Sequence, residues 1–190
     1  MSDTTAYLAS GPRVGVRPFS YEDAGEFTAL VRESRELHHP WLAPPADPES
    51  YLVYARRLIE DPTKAGFLVC EREGEHEGDV GAAGGIAGFI NINNIVEGAF
   101  RSGALGYGAF AHAAGRGLMG EGLRLVMAYA FGSLGLHRLE VNIQPANEAS
   151  LALIRRAGFR LEGYSPDFLF IDGAWRDHER WAFTAEMAVR

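Results

Sequence analysis

The stretch "HAAGRGLMGEGLRLVMAYAF", residues 112–131, constrains this chain more than any other. Gly115, Gly117 and Gly120 crowd into the opening of a run in which Met119, Leu123, Val126, Met127, Ala130 and Phe131 recur every three or four residues. That recurrence predicts a helix with one apolar face. Glycine disfavours a helix by about 0.5–1 kcal/mol relative to alanine, so three at its start call for a reason. Two readings stand. Amides freed of neighbouring β-carbons at a helix N-terminus form a phosphate cradle, or glycine simply supplies positive φ in a strand-to-helix turn. The stretch is not a P-loop, because no Gly-Lys-Ser/Thr follows. It is not a dinucleotide fingerprint either: the G-x-G-x-x-G spacing is met, but residues 131–137 carry no acid where the ribose partner would stand.

The rest of the chain alternates between strand and helix signals. "RVGVRPF" (13–19) reads as a strand. "SYEDAGEFTALVRES" opens on Ser20 with acids in its first turn, the start of a helix. "HHPWLAPP" (38–45) holds three prolines and is irregular, and Asp47-Pro48 opens a second helix with a cap and an N1 proline. Strands follow at 66–73, 81–94 and 103–111, with a charged turn "GEHEGD" between the first two. After the glycine-led helix come the strand 137–144 and a helix 147–159 closed by Gly158. Two last strands are joined by Asp172-Gly173, a strong hairpin signal. At 190 residues with no repeat, this predicts one α+β domain spanning 1–190, its core about 13–186.

Composition narrows the partners. With 47% hydrophobic and 23% charged residues the chain is globular. A net charge of −7 disfavours nucleic acid and suits a cationic substrate. No run is long enough to span a membrane, and no leader-like segment opens the chain. A cytoplasmic location is the expectation. The lone Cys70 reads as a buried small hydrophobe, and no His/Cys/Asp cluster has metal-ligand spacing, so no metal is expected.

Several motifs together carry a resemblance. "GRGLMGEGL" resembles the acyl-CoA motif of the GNAT acetyltransferases. "ESRELHHPWL" (33–42), "NNIVEGAFRSGALGY" (93–107), "NEAS" (147–150), "GFRLEGY" (158–164) and "DFLFIDGAWRDHERWA" (167–182) are similar, in order and spacing, to the RimJ/RimL class of protein N-terminal acetyltransferases. The match runs from about Val14 to Ala185. The family's Gln or Arg falls on Ala114, and its last Gly/Ala on Met119.

The resemblance implies a GNAT fold: a mostly antiparallel sheet of about seven strands, flanked by about four helices and splayed at an acyl-CoA cleft. It implies direct acetyl transfer from acetyl-CoA to a primary amine, most simply the α-amine of a protein of ribosomal type. A small amine (polyamine, amino acid or antibiotic) is the alternative acceptor, and a CoA-binding module without turnover the alternative class. The chain would act as a monomer or homodimer. The cosubstrate contacts implied are Gly115, Arg116, Gly117, Leu118, Met119 and Gly120, with Asn147 on the pantetheine arm. A backbone amide freed by a bulge among Ala109, Phe110 and Ala111 would polarise the thioester. Ser150 would protonate the leaving thiolate; read without the family, Asn147 is a plain helix cap and Ser150 an exposed helix residue. Glu33 and Asp167 are the candidate bases, and Trp41, His39 and Asn91 the acceptor contacts. His38 and His39 have two readings, lining the acceptor cleft beside Trp41 or standing exposed on the loop, and His178 reads as structural.

Overall fold

The computed structural model describes residues 6–72 and 83–189. The expected turn "GEHEGD" lies outside the described residues. Eight strands form one sheet: β1 (Ala9–Ser10), β2 (Val14–Pro18), β3 (Ala65–Arg72), β4 (Ala83–Val96), β5 (Ser102–Ala109), β6 (Arg138–Ile143), β7 (Arg160–Ile171) and β8 (Ala174–Thr184). The helices are α1 (Ala24–Glu33), α2 (Arg35–His38), α3 (Pro48–Glu60), α4 (Leu118–Gly132) and α5 (Glu148–Arg156). Among the described residues, the strand and the helix that exceed the expected number are β1 and α2, of two and four residues. Both are too short to leave a periodic signal.

The sheet order is β1-β2-β3-β4-β5-β6-β8-β7, and only β5–β6 is parallel. That pair needs a crossover, and α4 supplies it. Several local signals act as read. Asp47 accepts from the Ser50 amide and Pro48 opens α3. Asp172 and Gly173 take φ of 51° and 73° in the β7–β8 turn. The first helix starts later than its sequence suggests. Ser20 and Asp23 form a reciprocal capping box around a single 3₁₀ turn, Tyr21–Asp23, and the α-helix begins only at Ala24.

Each face of the sheet buries its own core. On one side α4 and α5 cover Val69, Ile90, Ile92, Leu139, Val141 and Ile143 with Leu118, Leu123, Val126, Leu151 and Ile154. On the other, α1 and α3 bring Phe27, Val31, Tyr51 and Leu58 onto Leu68, Cys70, Ile86 and Phe89. Burial pushes the Cys70 thiol up to about 11, so it stays protonated. Gly122 lets α4 lie close on β3: a β-carbon there would stand 2.8 Å from both methyls of Val69. Among the described residues no helix is long and apolar enough to cross a membrane.

The β5–β6 ladder holds only from Ser102/Arg138 to Leu105/Val141, yet β5 runs on to Ala109 and β6 to Ile143. Beyond Leu105 the two strands part, and the sheet opens at its centre.

Candidate active site

The loop from β5 to α4 makes one 3₁₀ turn, Ala111–Ala113, and then passes Gly115 and Gly117 at φ of 74° and 80°. That left-handed backbone is the structural need for two of the three glycines, since a β-carbon clashes there. Nothing lies within 4 Å of where a Gly115 β-carbon would stand. Gly117 is the N-cap of α4, with no side chain capping the helix, and the first intrahelical bond runs from the Glu121 amide to the Gly117 carbonyl. The amides of Leu118, Met119 and Gly120 are therefore those a helix start leaves without intrahelical acceptors. Leu118 and Met119 are buried, so they offer the loop face their backbone alone.

Charged groups brace this loop. Arg116 forms a two-point pair with Glu71 of β3, which neutralises the guanidinium. Arg13 Nη2 donates to the Arg116 carbonyl at 2.6 Å. Glu121 accepts the amides of Arg13 and Val14 at 2.8 and 3.2 Å, tying the β1–β2 turn to the first turn of α4. The arrangement suits an anion seated on backbone amides, with Arg13 rather than Arg116 the less committed cation.

The parted strands enclose a cavity of about 150 Å³. On the α5 side it is lined by Tyr107, Asn147 and Ser150, and on the opposite side by Trp41, Leu42, Asn142, Leu169, Ile171 and His178. Asn147 caps α5 by accepting the Ser150 amide at 3.1 Å. The Tyr107 hydroxyl lies 2.7 Å from Ser150 Oγ. Burial pushes that phenol up to about 12, so it stays protonated and able to donate.

The expected bulge near Ala109–Ala111 is not what frees an amide here. The β4–β5 register runs unshifted from Asn93/Ala104 to Gly88/Ala109, and the Phe110 amide donates to the Ala87 carbonyl. The Ala111 amide is taken by Ser34 Oγ at 2.8 Å. Alternation along β5 turns the Tyr107 and Ala109 amides toward β6, past the point where the ladder ends. Divergence of the strands, not a bulge, exposes them.

The other candidates divide. Trp41, Asn147 and Ser150 share the cavity. Glu33 is exposed at the end of α1 and does not line it. Asp167 sits exposed where the β7–β8 register shifts, at φ 47°, its amide held by Asp177 Oδ1 at 2.9 Å, again away from the lining. Asn91 is buried on β4, donates to the Tyr54 hydroxyl, and leaves Oδ1 without a partner. His39 is exposed, with Nε2 3.3 Å from Asp172 at the tip of the β7–β8 hairpin.

Three contributors lay beyond local reading. His38 is buried against Phe89 and Phe110, not exposed on a loop, and its Nε2 lies 2.8 Å from the Ala109 carbonyl. Burial lowers its pKa below 6.5. With a carbonyl as partner, Nε2 carries the hydrogen. Ser34 and His38 thus hold the end of β5 from the two ends of α2. Tyr107 is the third, a partner 43 residues distant from Ser150.

Comparison with known proteins agrees with this geometry. The family profile described as "Acetyltransferase (GNAT) domain" matches residues 13–160. A probable N-acetyltransferase of Bacillus subtilis, YjcK, is 29% identical over 174 residues, covering 90% of this chain and 94% of the relative. The ribosomal protein uS5-alanine N-acetyltransferase of Escherichia coli is 41% identical over 99 residues, about half of each chain (52% and 51%). The solved structure of Mycobacterium smegmatis RimJ in complex with CoA-disulfide superposes with a TM-score of 0.81 at 27% identity, covering 95% of this chain and 88% of that one. A sheet parted beside a glycine-led helix, a profile match across most of the chain and relatives along nearly its whole length lead to one assignment: the chain belongs to the GNAT acetyltransferase family.

Proposed function

We propose that this protein transfers an acetyl group from acetyl-CoA to the α-amine of a protein N-terminus. The observation that carries the reading is the cavity between β5 and β6, which brings Tyr107 and Ser150 on one side opposite Trp41 and His178 on the other. An acyl donor entering from the α4 and α5 side would set its phosphates on the amides of 115–120. Asn147 and Ser150 would then lie along its arm. Of the Tyr107 and Ala109 amides, about 6.6 Å apart along one strand, one suits the thioester carbonyl oxygen, where negative charge collects as the amine attacks, and the other a carbonyl of the arm; a fixed donor at developing charge is often the largest catalytic contribution.

Ser150 gives its proton to the departing thiolate, with Tyr107 donating to Ser150 Oγ in turn. Trp41 offers an aromatic face to the ammonium. Asp172, next to the lining residue Ile171, adds attraction for a cation, with Asp167 and Asp177 further along the same hairpin. A protein acceptor is favoured by what surrounds the mouth. Phe168, Leu169, Phe170 and Trp175 leave 38%, 39%, 62% and 61% of their surface exposed. Leu169 lines the cavity and Phe168 lies against His178, an apolar edge on which residues following the amine can rest, while alternation puts the Phe170–Trp175 pair on the hairpin's other face. The E. coli relative is an alanine N-acetyltransferase of ribosomal protein uS5, which suits the same reading.

The test is thiol release from acetyl-CoA over a panel of N-terminal peptides, polyamines and amino acids. Peptides should be acetylated with the highest kcat/KM. A preference for a polyamine would overturn the acceptor assignment and leave the transfer reaction intact. Gly117→Asp sets a carboxylate at the cradle with a residue type that tolerates the left-handed backbone at modest cost; measured by calorimetry with acetyl-CoA, it should abolish binding while circular dichroism stays native. Unchanged affinity would overturn the cradle.

A further inference from the structure

We propose that His178 is the base that takes the proton from the acceptor ammonium, an inference that rests on the acetyl-transfer reading above. An ammonium has no lone pair, so a proton must leave before the nitrogen can attack. The acids expected for this task, Glu33 and Asp167, lie off the cavity. Among the described residues lining it, His178 is the sole imidazole, the side chain suited to exchanging a proton near neutral pH. The other ionisable group there, Tyr107, is a phenol pushed far above neutrality.

The placement fits the task. His178 lies on β8, diagonal to Asn142 of β6, since Asn142 pairs with Arg180. Alternation puts His178 and Asn142 on the sheet face opposite Trp181 and Val141, which pack with α4 and α5. The base thus stands on the acceptor side of the cavity and Ser150 on the donor side. The residue is only 2% exposed, and its ring packs edge-on to Phe168 at 5.9 Å. Its Nδ1 lies 2.9 Å from the Arg176 carbonyl. A carbonyl only accepts, so Nδ1 carries the hydrogen, and in the neutral ring Nε2 holds the lone pair. The Arg176 carbonyl therefore selects the tautomer that a base requires.

The protons balance. The acceptor nitrogen begins with three and ends, as the amide, with one. His178 Nε2 takes the first and the N–C bond forms. The second leaves as the C–S bond breaks and passes to Ser150 Oγ, which delivers its own proton to the thiolate and so ends as it began. One proton in total is released to solvent when His178 resets.

The experiment compares two acceptors on wild type, His178→Asn and His178→Gln. One is an N-terminal peptide, protonated in part at neutral pH. The other is a hydrazide, whose nitrogen is already neutral there. Asparagine and glutamine can still donate to a carbonyl but cannot take a proton. Loss of a positioned base typically slows a reaction by about 10²–10⁴-fold. Both variants should lose about that much kcat on the peptide and far less on the hydrazide, with the acetyl-CoA Kd by calorimetry unchanged. Full activity of both variants on the peptide would overturn the proposal. Equal losses on both acceptors would also overturn it, because a structural role does not discriminate between amines. Failure of the wild type to bind acetyl-CoA or to acetylate either acceptor would instead overturn the parent reading, and this one with it.

Discussion

Tyr107 and Ser150 should behave as one unit. Their oxygens stand 2.7 Å apart, and the Ser150 amide is fixed separately by Asn147. Tyr107→Phe keeps the ring, and so the packing beside α5, and removes only the hydroxyl. A neutral hydrogen bond is worth about 0.5–1.5 kcal/mol net. At about 1.36 kcal/mol per decade of rate, that predicts a fall of roughly two- to tenfold in kcat. Ser150→Ala removes the proposed acid and should cost about 10²–10⁴-fold. If Tyr107 acts only by orienting Ser150 Oγ, its loss changes nothing once that oxygen is gone. The double variant should match Ser150→Ala alone, and the interaction energy should equal the whole effect of Tyr107→Phe. The assay is continuous thiol release under saturating acetyl-CoA and peptide, with acetyl-CoA Kd measured in parallel and expected to hold. Were Tyr107→Phe to slow the Ser150→Ala background by the same factor as the wild type, the two residues would act independently and the reasoning would fail.

Gly122→Ala should lower stability even though alanine favours a helix, because the new methyl meets the stiff Val69 at 2.8 Å. Overpacking costs about 1–3 kcal/mol and each kcal/mol moves Tm by about 2–4 °C in a chain of this size; an unchanged Tm would show that α4 can lift from β3. His38 is held neutral by burial, its pKa below 6.5 when folded. Its contribution is whole above 6.5 and declines as pH falls, because below that value the unfolded chain takes up a proton that the folded chain resists. Tm should therefore drop as pH falls from about 7 to about 5, across the ordinary histidine range, and His38→Gln should show a shallower drop; identical slopes would refute this. Trp41→Ala should raise KM for the amine by about 2- to 30-fold, the range of a cation–π contact, and leave KM for acetyl-CoA in place; movement of the acetyl-CoA value alone would remove Trp41 from the acceptor wall.

Elements with a local code were readable, and contacts across the fold were not. The Asp47-Pro48 start, the Asp172-Gly173 turn and the alternation of Leu139, Val141 and Ile143 each declare themselves within a few residues, because caps, turns and faces are set by near neighbours. The glycines of the β5–α4 loop belong here too. His38 and His39 show the limit. Adjacent in sequence, they differ because the single turn of α2 carries His38 beneath the end of β5 and leaves His39 outside. Nothing local distinguishes them. Tyr107 finds Ser150, and Ser34 finds Ala111, across 43 and 77 residues, through pairings that only the folded sheet creates. His178 gives no signal beyond its place on an alternating strand. Glu33 and Asp167 show the same limit: each lies near the expected segment, but an acid at a helix end or where a register shifts is free to face water, and both stand exposed and off the cavity lining.

The parting of β5 from β6 has a thermodynamic side. A sheet ordinarily meets its own amides, and buried amides without partners are expensive. Here the Tyr107 and Ala109 amides turn toward a neighbour that has moved away, so the fold forgoes ladder bonds in its own centre. An occupant with acceptors at those points completes the sheet. Ligand binding should therefore act as a structural repair as well as a step in catalysis. At one hundred times Kd, a ligand that binds only the folded state adds about 2.7 kcal/mol to its stability. The gain should concentrate in the strands flanking the cavity, so amide exchange there should slow on adding acetyl-CoA, while the end of the β2–β3 ladder away from the glycine loop, at Arg17/Leu68 and Pro18/Phe67, slows only with global unfolding. Because those amides demand acceptors, a purely apolar molecule of the same volume would fill the gap and leave them unmet.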